Sequence, residues 1–393
     1  MSTPTLEFSR RERTRSFLGT FAAFGHFLSD ISKLLLFSRT SPSMLLETQA
    51  KRRPSSLALA WENERYTWRD VNERANRYAT WFSEHGVHKG DVVALVMDNR
   101  PDFIFVLHGL NKLGATVSLI NHNLTGAALA HALRICSARS AVAGSEFVES
   151  VDAVLGDVEG LSGDGVWVVS DPGIGPSSDP RCIDAEVALR SGAQIDRGYR
   201  ASLEDTYCYI YTSGTTGLPK AAIISHMRML SSSLGFAHLM FRTRPGDVTY
   251  VTLPLYHSSA MFLGWGHGLI SGSAMALRRK FSTSQFFADA RKFRATSFLY
   301  IGELCRYLLN SPEREDDRDH SLRLGVGNGM RPDIWEDFQK RFGVPLIREF
   351  YGATEGTGAL LNTAGRPGMI GRKLPGQLIA RCDLETGELY RDA

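Results

Sequence analysis

A loop of small polar residues is the part of this sequence best suited to bind an anion. It reads TSGTTGLPK over residues 212–220 and follows a strand-like segment, residues 208–212. Its hydroxyl groups and glycines can bring backbone N–H groups close to a phosphate, and Lys220 adds a positive charge. The loop lacks the GxxxxGK[ST] order of P-loop ATPases, and a structural turn is the commoner explanation of such a composition.

Three later segments place polar or aromatic side chains among small residues. They are LPLYHSSA (253–260), GVGNGMR (325–331) and REFYGATEG (348–356). Glu355 in the third segment is a carboxylate, the ligand type that Mg²⁺ prefers. Taken singly, His257 is more often a structural histidine, Tyr351 a packed aromatic residue and Glu355 a surface carboxylate. Only their joint occurrence favours a function for them.

The composition argues against several classes of protein. The 45 basic and 42 acidic residues leave a net charge of +3, which gives no reason to expect a nucleic-acid partner. The five cysteines show no CxxC pair and no metal-ligand spacing, so structural zinc is not expected. They are expected to be free thiols in a reducing compartment. A chain of 393 residues has room for roughly two to three domains.

Positioning these segments requires a regular framework, which the apolar pattern from about residue 57 predicts. Strand-like and helix-like segments alternate, which indicates an α/β fold with doubly wound parallel sheets. A helix is expected to start near Thr67. The Pro/Gly/Ser-rich residues 171–180 and the charged residues 312–320 are expected to form loops. The two α/β halves are expected to meet somewhere within residues 170–205.

The N-terminal segment combines arginines with an apolar run of helical spacing. The arginines are Arg10, Arg11, Arg13 and Arg15, and the run covers residues 16–37. One helical face carries Phe17, Phe21, Phe24, Leu28, Ile31 and Leu35, and the opposite face carries Thr20, His26, Asp30 and Lys33. Such a helix can lie in a membrane interface, with contact through residues 10–37, or it can pack as an ordinary core helix. A transmembrane span is less favoured, because polar residues interrupt the run.

The motifs at residues 209–356 together resemble those of the adenylate-forming (AMP-binding) superfamily, in the order found there. YTSGTTGLPK resembles the phosphate-binding signature, LPLYHSSA the segment beside the acyl pocket, GVGNGMR the adenine-flanking segment and REFYGATEG the second nucleotide motif. Two phrases, YIGELCRYLLN (300–310) and GNGMRPDIW (327–335), look like the branch of fatty-acid transport proteins, the very-long-chain acyl-CoA synthetases. The resemblance covers roughly residues 40–393.

The resemblance implies an enzyme that activates a long- or very-long-chain fatty acid through an acyl-adenylate to acyl-CoA, using ATP, Mg²⁺ and CoA. The catalytic residues that it implies are Lys220, Thr354, Glu355 and His257, with Glu355 holding Mg²⁺. The nucleotide-binding residues that it implies are Thr212, Ser213, Gly214, Thr215, Thr216, Gly217, Gly327, Asn328, Gly329, Tyr351, Gly352 and Thr354. Gly264, Gly266 and Gly268 either open room for an acyl chain or mark close helix packing, and both interpretations stay open.

The resemblance also implies two doubly wound, flavodoxin-like subdomains and the start of a small β subdomain. The predicted divisions are residues 1–40, a basic amphipathic segment, followed by 41–180, 181–362 and 363–393. Family members continue into a ribose-binding Asp and a lid domain with a catalytic Lys. The chain is therefore expected to be C-terminally truncated, as either a fragment of a longer protein or a truncated natural product, and nearly inactive.

Two other functions stay open from the sequence. One is a CoA ligase for another carboxylate, and the other is a non-catalytic module that binds an acyl group or a nucleotide. The protein is expected in the cytoplasm or peripherally on the cytoplasmic face of a membrane, with a transmembrane anchor less favoured.

Overall fold

A computed structural model shows two twisted sheets with helices packed on them. It describes residues 23–34, 36, 39–196, 198–212, 218–356, 358–374, 377, 379–380, 382–383, 386 and 388. The first of these residues, 23–34, form a helix that precedes the elements named below.

The strands contribute to a six-stranded and a nine-stranded sheet. They are β1 (Leu57–Trp61), β2 (Glu64–Thr67), β3 (Val92–Val96), β4 (Thr116–Leu119), β5 (Ser140–Gly144), β6 (Val166–Val169), β7 (Thr206–Thr212), β8 (Lys220–Ser225), β9 (Val248–Val251), β10 (Ala274–Leu277), β11 (Ser297–Ile301), β12 (Leu324–Asn328), β13 (Ile347–Gly352), β14 (Ala359–Asn362) and β15 (Arg372–Lys373).

The helices after residue 40 are mostly short. They are α1 (Pro42–Arg52), α2 (Trp68–Glu84), α3 (Pro101–Lys112), α4 (Gly126–Ile135), α5 (Val148–Asp152), α6 (Asp184–Leu189), α7 (His226–Gly235), α8 (His267–Ser271), α9 (Phe286–Lys292), α10 (Gly302–Leu309) and α11 (Pro332–Phe342). Single 3₁₀ turns lie at Ser145–Phe147, Leu155–Asp157 and Gly163–Gly165, and π-helical turns at Phe236–Phe241 and Ser259–Gly266. The first π-helical turn extends α7, and the second leads directly into α8.

Both sheets are mainly parallel, as the alternation of strands and helices predicts. The six-stranded sheet has the order β6-β5-β3-β4-β7-β8, and only the pair of β7 and β8 is antiparallel. The nine-stranded sheet has the order β15-β14-β13-β12-β11-β9-β10-β1-β2. Its central strands are parallel, and β2, β14 and β15 run antiparallel to their neighbours.

The largest apolar core lies between the two sheets and contains residues of both, together with α1, α2, α3 and the two π-helical turns. Strand β3 contributes side chains to two cores. Val93 and Leu95 belong to this shared core, whereas Ala94 and Val96 belong to the core on the outer side of the six-stranded sheet, because successive side chains of a strand point to opposite faces. A third core covers the outer side of the nine-stranded sheet.

Local sequence signals explain where α2 starts, which confirms the predicted helix start near Thr67. The Thr67 side chain accepts a hydrogen bond from the backbone N–H of Asp70, and the Asp70 carboxylate accepts one from the backbone N–H of Thr67. This reciprocal pair satisfies two N–H groups that a helix start otherwise leaves unpaired. The predicted loops at residues 171–180 and 312–320 contain no helix or strand.

The two sheets do not divide the chain at a single point. Strands β1 and β2 precede the six-stranded sheet in the chain but join the nine-stranded one, whereas β7 and β8 lie in the predicted second half but join the six-stranded sheet. The division at residues 180 and 181 therefore does not coincide with the two sheets, because pairing of β1 with β10 and of β7 with β4 is non-local. As a division into subdomains it stays a prediction.

The helix at residues 23–34 packs against α7 and the π-helical turn that follows it. The Asp30 carboxylate lies 3.0 Å from Nε2 of His238, and the rings of His26 and His238 are stacked. The polar face of the helix thus contacts the domain, while Leu28 is 47% exposed. Among the described residues, none of the helices combines the length and the apolar character needed to cross a bilayer.

Candidate active site

The carboxyl ends of the two sheets meet at the turn that follows β13. The hydroxyl of Thr212, at the end of β7, donates a hydrogen bond to Oε1 of Glu355 over 2.9 Å. Lys220 pairs with Thr212 across the antiparallel β7 and β8, so it lies at the same edge. Ligands of open parallel sheets bind outside the carboxyl ends of the strands, which makes this junction the candidate site.

Glu355 is an exposed carboxylate near the positive charges of Arg228 and Lys220. The pKa of Glu355 lies below its ordinary value, first because a backbone N–H donates to the carboxylate and then because Thr212 does. The charges of Arg228 and Lys220 lower it further and outweigh the opposing effect of burial. The carboxylate is therefore ionised at neutral pH and available to a cation.

Arg228 is a site residue that the motifs did not reveal. It lies in the first turn of α7, its Nη2 donates to the backbone oxygen of Ala353 over 2.9 Å, and its charge faces Glu355. Burial lowers the pKa of Arg228, which the Glu355 charge opposes. Its buried Nε has no hydrogen-bond partner within the described part of the chain. The only sequence signal was its place in the helix that follows the Ser/Thr/Gly loop and β8.

A cavity of about 300 Å³ opens beside this turn. The hydroxyls of Ser258 and Thr354, 3.1 Å apart, line it together with Arg228. Most of its other lining is apolar or small: Phe27, Gly235, Phe236, Leu239, Phe262, Leu263, Phe350, Gly352, Ala353, Gly356, Gly358, Ala359, Leu361 and Leu374. A cavity with a few polar groups in an apolar wall has the character of a ligand pocket.

The predicted adenine-flanking segment lies next to the second nucleotide motif. Gly327 pairs with Glu349 across β12 and β13, and Asn328 and Gly329 are exposed at the strand end. Glu349 is buried, and its Oε1 accepts hydrogen bonds from the Met330 N–H at 2.5 Å and from the Tyr300 hydroxyl at 3.3 Å. Burial raises the pKa of Glu349, and these hydrogen bonds oppose that rise. Glu349, which the motifs did not single out, fixes the turn that carries Asn328 and Gly329.

Tyr351 and His257 stand apart from the cavity lining. Tyr351 is 58% exposed beside Gly352, which does line the cavity. His257 precedes the lining residues Ser258 and Ser259, and its Nδ1 lies 3.5 Å from the Ser259 N–H. Its side chain is exposed, yet the protein atoms around the imidazole lower the pKa of His257 by desolvation. The roles predicted for both side chains stay predictions.

Five predicted residues lie outside the described part of the chain. They are Ser213, Gly214, Thr215, Thr216 and Gly217. Thr212, which precedes them, and Lys220, which lies three residues after them, pair with each other and lie at the site.

The glycines of the Ser259–Gly266 turn and α8 lie in close packing rather than along the cavity. A Cβ on Gly266 would lie 2.2 Å from the Ser233 hydroxyl oxygen, and one on Gly268 would lie 3.0 Å from the Ser273 backbone oxygen. A Cβ on Gly264 would lie 3.1 Å from a methyl group of Val251. Of the two interpretations that the sequence left open, the structure supports close packing.

Comparison with known proteins identifies the family. Residues 46–392 match the sequence profile of the AMP-binding enzyme family. The chain belongs to this family. The match includes every motif described above, from the Ser/Thr/Gly loop to the turn with Thr354 and Glu355.

Proteins similar in sequence to this chain include those named as transport proteins and as CoA ligases of fatty acids. The chain is 40% identical to mouse long-chain fatty acid transport protein 6 over 331 residues, which cover 83% of this chain and 52% of the relative. It is 36% identical over 360 residues to the medium/long-chain-fatty-acid--CoA ligase FadD6 of Mycobacterium tuberculosis, covering 91% of this chain and 58% of that protein. The chain therefore spans little more than half the length of these relatives.

A solved CoA ligase shares the fold. The anthranilate CoA ligase AuaEII, crystallised in complex with anthranoyl-AMP, superimposes with a TM-score of 0.78. The match covers 90% of this chain and 68% of the ligase, at 22% sequence identity. It confirms the predicted α/β architecture of the adenylate-forming fold.

Proposed function

We propose that this protein takes part in the ATP-dependent activation of long-chain fatty acids, through an acyl-adenylate to acyl-CoA. The relatives named for long-chain fatty acids and the family match support this activity. The observation that carries the proposal is the mainly apolar cavity that reaches Thr354 and Arg228, beside the contact of Thr212 with Glu355. A fatty acid combines an apolar chain with one anionic end. The cavity offers an apolar wall for the chain, and Arg228 and Thr354 for the carboxylate.

In the first proposed step, a carboxylate oxygen of the fatty acid attacks the α-phosphorus of ATP. A phosphorus–oxygen bond forms, the bond to the departing pyrophosphate breaks, and the products are acyl-adenylate and pyrophosphate. Arg228 and Lys220 supply positive charge where the reacting oxygens concentrate negative charge, and such pre-positioned charge is a main source of catalysis. The Thr354 hydroxyl is proposed to donate to the α-phosphate.

In the second step, the thiol sulfur of CoA attacks the acyl carbonyl carbon, the thiol proton is lost, and AMP leaves. The side chain of His257, adjacent in sequence to the cavity-lining Ser258, is proposed to lie between the phosphates and the acyl entrance. Its lowered pKa keeps the imidazole neutral at physiological pH, so it can accept a proton.

The nucleotide is proposed to lie across the carboxyl ends of β12 and β13. Gly327, Asn328, Gly329, Tyr351 and Gly352 would border the adenine, and the exposed ring of Tyr351 offers a face for stacking. The phosphates would be surrounded by Thr212, Lys220 and the loop from Ser213 to Gly217. Backbone N–H groups would donate hydrogen bonds to the phosphate oxygens.

The residues present fit a magnesium ion that is bound together with the nucleotide. The described residues contain no group of three or more His, Cys, Asp or Glu side chains that could hold a metal alone. Mg²⁺ commonly binds through one or two carboxylates, with phosphates and waters completing its shell. Glu355, ionised and hydrogen-bonded to Thr212, would be that carboxylate. The ion would neutralise negative charge on the phosphates.

Peripheral contact of residues 10–37 with the cytoplasmic face of a membrane is part of the proposal. The arginines at residues 10, 11, 13 and 15 would be attracted to anionic lipids, and Leu36 is 80% exposed. Co-sedimentation with vesicles that contain or lack phosphatidylserine tests this contact. Binding only to the anionic vesicles is expected, and equal recovery with both would contradict it.

The adenylation step is tested by exchange of labelled pyrophosphate into ATP in the presence of a long-chain fatty acid. We expect fatty-acid-dependent exchange at a low rate, in line with the low activity expected from the sequence, and Arg228→Ala should slow it about a hundredfold further because a charge at the reacting phosphoryl group is lost. Arg314→Ala, which removes an exposed arginine of the 312–320 loop, serves as the control. Binding of fatty acid without any exchange would instead favour a non-catalytic acyl-binding function, and exchange supported equally by short aromatic acids would favour another carboxylate.

A further inference from the structure

Phe27, on the helix formed by residues 23–34, is part of the cavity wall. Its half-buried ring packs directly over Gly235 of α7, since a Cβ built on that glycine would lie 3.8 Å from Cε2 of Phe27. The ring also lies 6.1 Å from that of Phe24 on the same helix. A segment that precedes both sheets in the chain thereby reaches the candidate acyl site.

The cavity follows one face of α7 and its π-helical extension. Arg228, Ser231, Ser232, Gly235, Phe236 and Leu239 line it with helical spacing. Arg228 contacts Ala353 at the reacting end, and Gly235 lies seven residues further along, or about 10 Å at the rise of an α-helix. Phe27 therefore meets an acyl chain at its apolar part, away from the carboxylate.

The small volume of the cavity suggests that Phe27 could limit the length of a bound acyl chain. About 300 Å³ lies at the lower end of the range of roughly 300–1,000 Å³ that ligand pockets usually occupy. An acyl chain that outgrows this space must either leave methylene groups exposed to water, which is unfavourable, or displace part of the wall. Phe27 is the candidate, because it comes from a separate N-terminal helix, whereas Phe236 and Leu239 belong to a helix that packs in the shared core.

Among the residues that the structure describes, the polar contacts between this helix and the rest of the protein are solvent-accessible. Asp30 pairs with Nε2 of His238 at 3.0 Å, and their side chains are 34% and 25% exposed. The ring of His26 lies over His238 with centroids 6.4 Å apart, and Lys33 bridges to Asp30 from the same helix. Solvent-accessible ion pairs stabilise only weakly, so we expect that displacement of the helix leaves both sheets in place.

We infer that Phe27 is a specificity-determining residue that limits the length of the acyl chain, and that the pair of Asp30 and His238 holds it in place. This inference rests on the proposed binding of fatty acids in the cavity. It assigns the N-terminal helix a direct part in substrate selection. The size of the side chain at position 27 then sets which chains fit without displacement of the helix.

The test measures binding rather than turnover, so that it does not depend on either half-reaction. A dansyl-labelled undecanoate is bound to the protein in solution and displaced by saturated fatty acids from medium to very long chain. Phe27→Ala should tighten binding of the longest chains about tenfold relative to the shortest, the scale on which apolar pockets discriminate methylene groups. Phe27→Trp should shift the preference towards shorter chains.

Leu28→Ala is the matched control, because Leu28 neighbours Phe27 on the helix, is 47% exposed and does not line the cavity. It should keep the wild-type profile. Asp30→Asn should shift the profile in the same direction as Phe27→Ala, but less. A purely structural role of Phe27 would move the alanine and tryptophan variants in the same direction.

The outcomes separate the inference from the function on which it rests. Identical chain-length profiles for wild type, Phe27→Ala and Phe27→Trp would overturn the inference and leave fatty-acid binding intact. Failure of the wild-type protein to bind any fatty acid would overturn the proposed function together with the inference. Circular dichroism of each variant verifies that its helices and sheets are retained.

Discussion

At the scale of single residues, Glu355 shows how a motif acquires a chemical meaning from its surroundings. Its carboxylate accepts the Thr212 hydroxyl, and the charges of Lys220 and Arg228 lower its pKa. Sequence alone left open whether it was a surface carboxylate. The surrounding hydrogen-bond donors and positive charges favour negatively charged groups here, whether the Glu355 carboxylate, a phosphate or both.

Glu355→Gln should weaken binding of Mg-ATP about tenfold or more. The amide removes the charge proposed to face Mg²⁺, and a tenfold change in Kd corresponds to about 1.4 kcal/mol. Isothermal titration with Mg-ATP measures the change. Glu315→Gln, an exposed acid in the 312–320 loop, is the control and should bind like wild type. Equal affinities for all three proteins would remove Glu355 from the metal site.

A buried histidine predicts how stability responds to acid. His267 stacks on Phe241, with centroids 4.4 Å apart, and lies 3.2 Å from the Thr249 hydroxyl. Burial lowers the pKa of His267 from 6.5 to about 4, although nearby backbone hydrogen bonds and Asp247 oppose the shift. The unfolded chain therefore takes up the proton first. This contribution to stability is complete above pH 6.5 and is lost as the pH falls through about 4.

His267→Phe should flatten the acid part of the stability profile. The difference of 2.5 between the two pKa values corresponds to about 3 kcal/mol of pH-dependent stability, which phenylalanine cannot show. Urea unfolding at several pH values between 7 and 4 measures the slope of the unfolding free energy, whatever the absolute stability of the variant. His88→Asn, which alters an exposed histidine, should keep the wild-type slope. A parallel slope for His267→Phe would show that other groups cause the acid sensitivity.

At the scale of elements, the sequence could predict those helices and strands whose start or burial depends on residues close together in the chain. The start of α2 at Thr67 follows from a capping box within four residues, and the buried strand at Val92–Val96 from its continuous apolar run. The partners of β1 could not be predicted, because its contact with β10 joins residues far apart in the chain. Arg228 was missed for the same reason, since Ala353 and Glu355 approach it only through the fold.

Gly327 has a second explanation that becomes visible only in the sheet. It pairs with Tyr300 across β11 and β12, and a Cβ there would lie 2.1 Å from the Tyr300 backbone oxygen. The motif that predicts a place beside the adenine is therefore also a packing requirement between two strands. Glycine at this position follows from strand contact whether or not nucleotide is present.

Gly327→Ala should lower the free energy of unfolding by about 1–3 kcal/mol, the usual cost of forcing extra atoms into a packed site. Chemical denaturation without any nucleotide measures this loss. Gly163→Ala is the matched control, because a Cβ at Gly163 meets nothing within 4 Å, and its stability should change by no more than about 0.5 kcal/mol. Unchanged stability together with weakened nucleotide binding would instead show that the glycine serves the ligand alone.

At the scale of the whole molecule, one buried amide is among the groups that join the two sheets at their carboxyl ends. Asn99 follows β3 of the six-stranded sheet, and its Nδ2 donates to the backbone oxygens of Leu253 over 2.9 Å and Arg278 over 3.2 Å. Its Oδ1 accepts from the Leu255 N–H over 2.8 Å. These partners follow β9 and β10 of the nine-stranded sheet, and the first of the two connections continues to His257 and Ser258.

Asn99→Leu should therefore loosen the connection between the sheets as well as lower overall stability. Leucine has a similar size but leaves two carbonyl groups and one N–H without their partner, at about 1–3 kcal/mol for each buried group. Hydrogen exchange should rise in residues 252–259 more than in the interior of either sheet. Because Ser258 and Thr354 line the same cavity, fatty-acid binding should weaken with it.

Asn310→Ala removes an exposed amide at the end of α10 and tests whether loss of any asparagine has this effect. It should leave both exchange and binding unchanged. If Asn99→Leu raised exchange uniformly over the whole chain, Asn99 would contribute to stability without coupling the sheets. A rise confined to residues 252–259, with weaker fatty-acid binding, would show that the site depends on how the two sheets are held together, because its residues come from both.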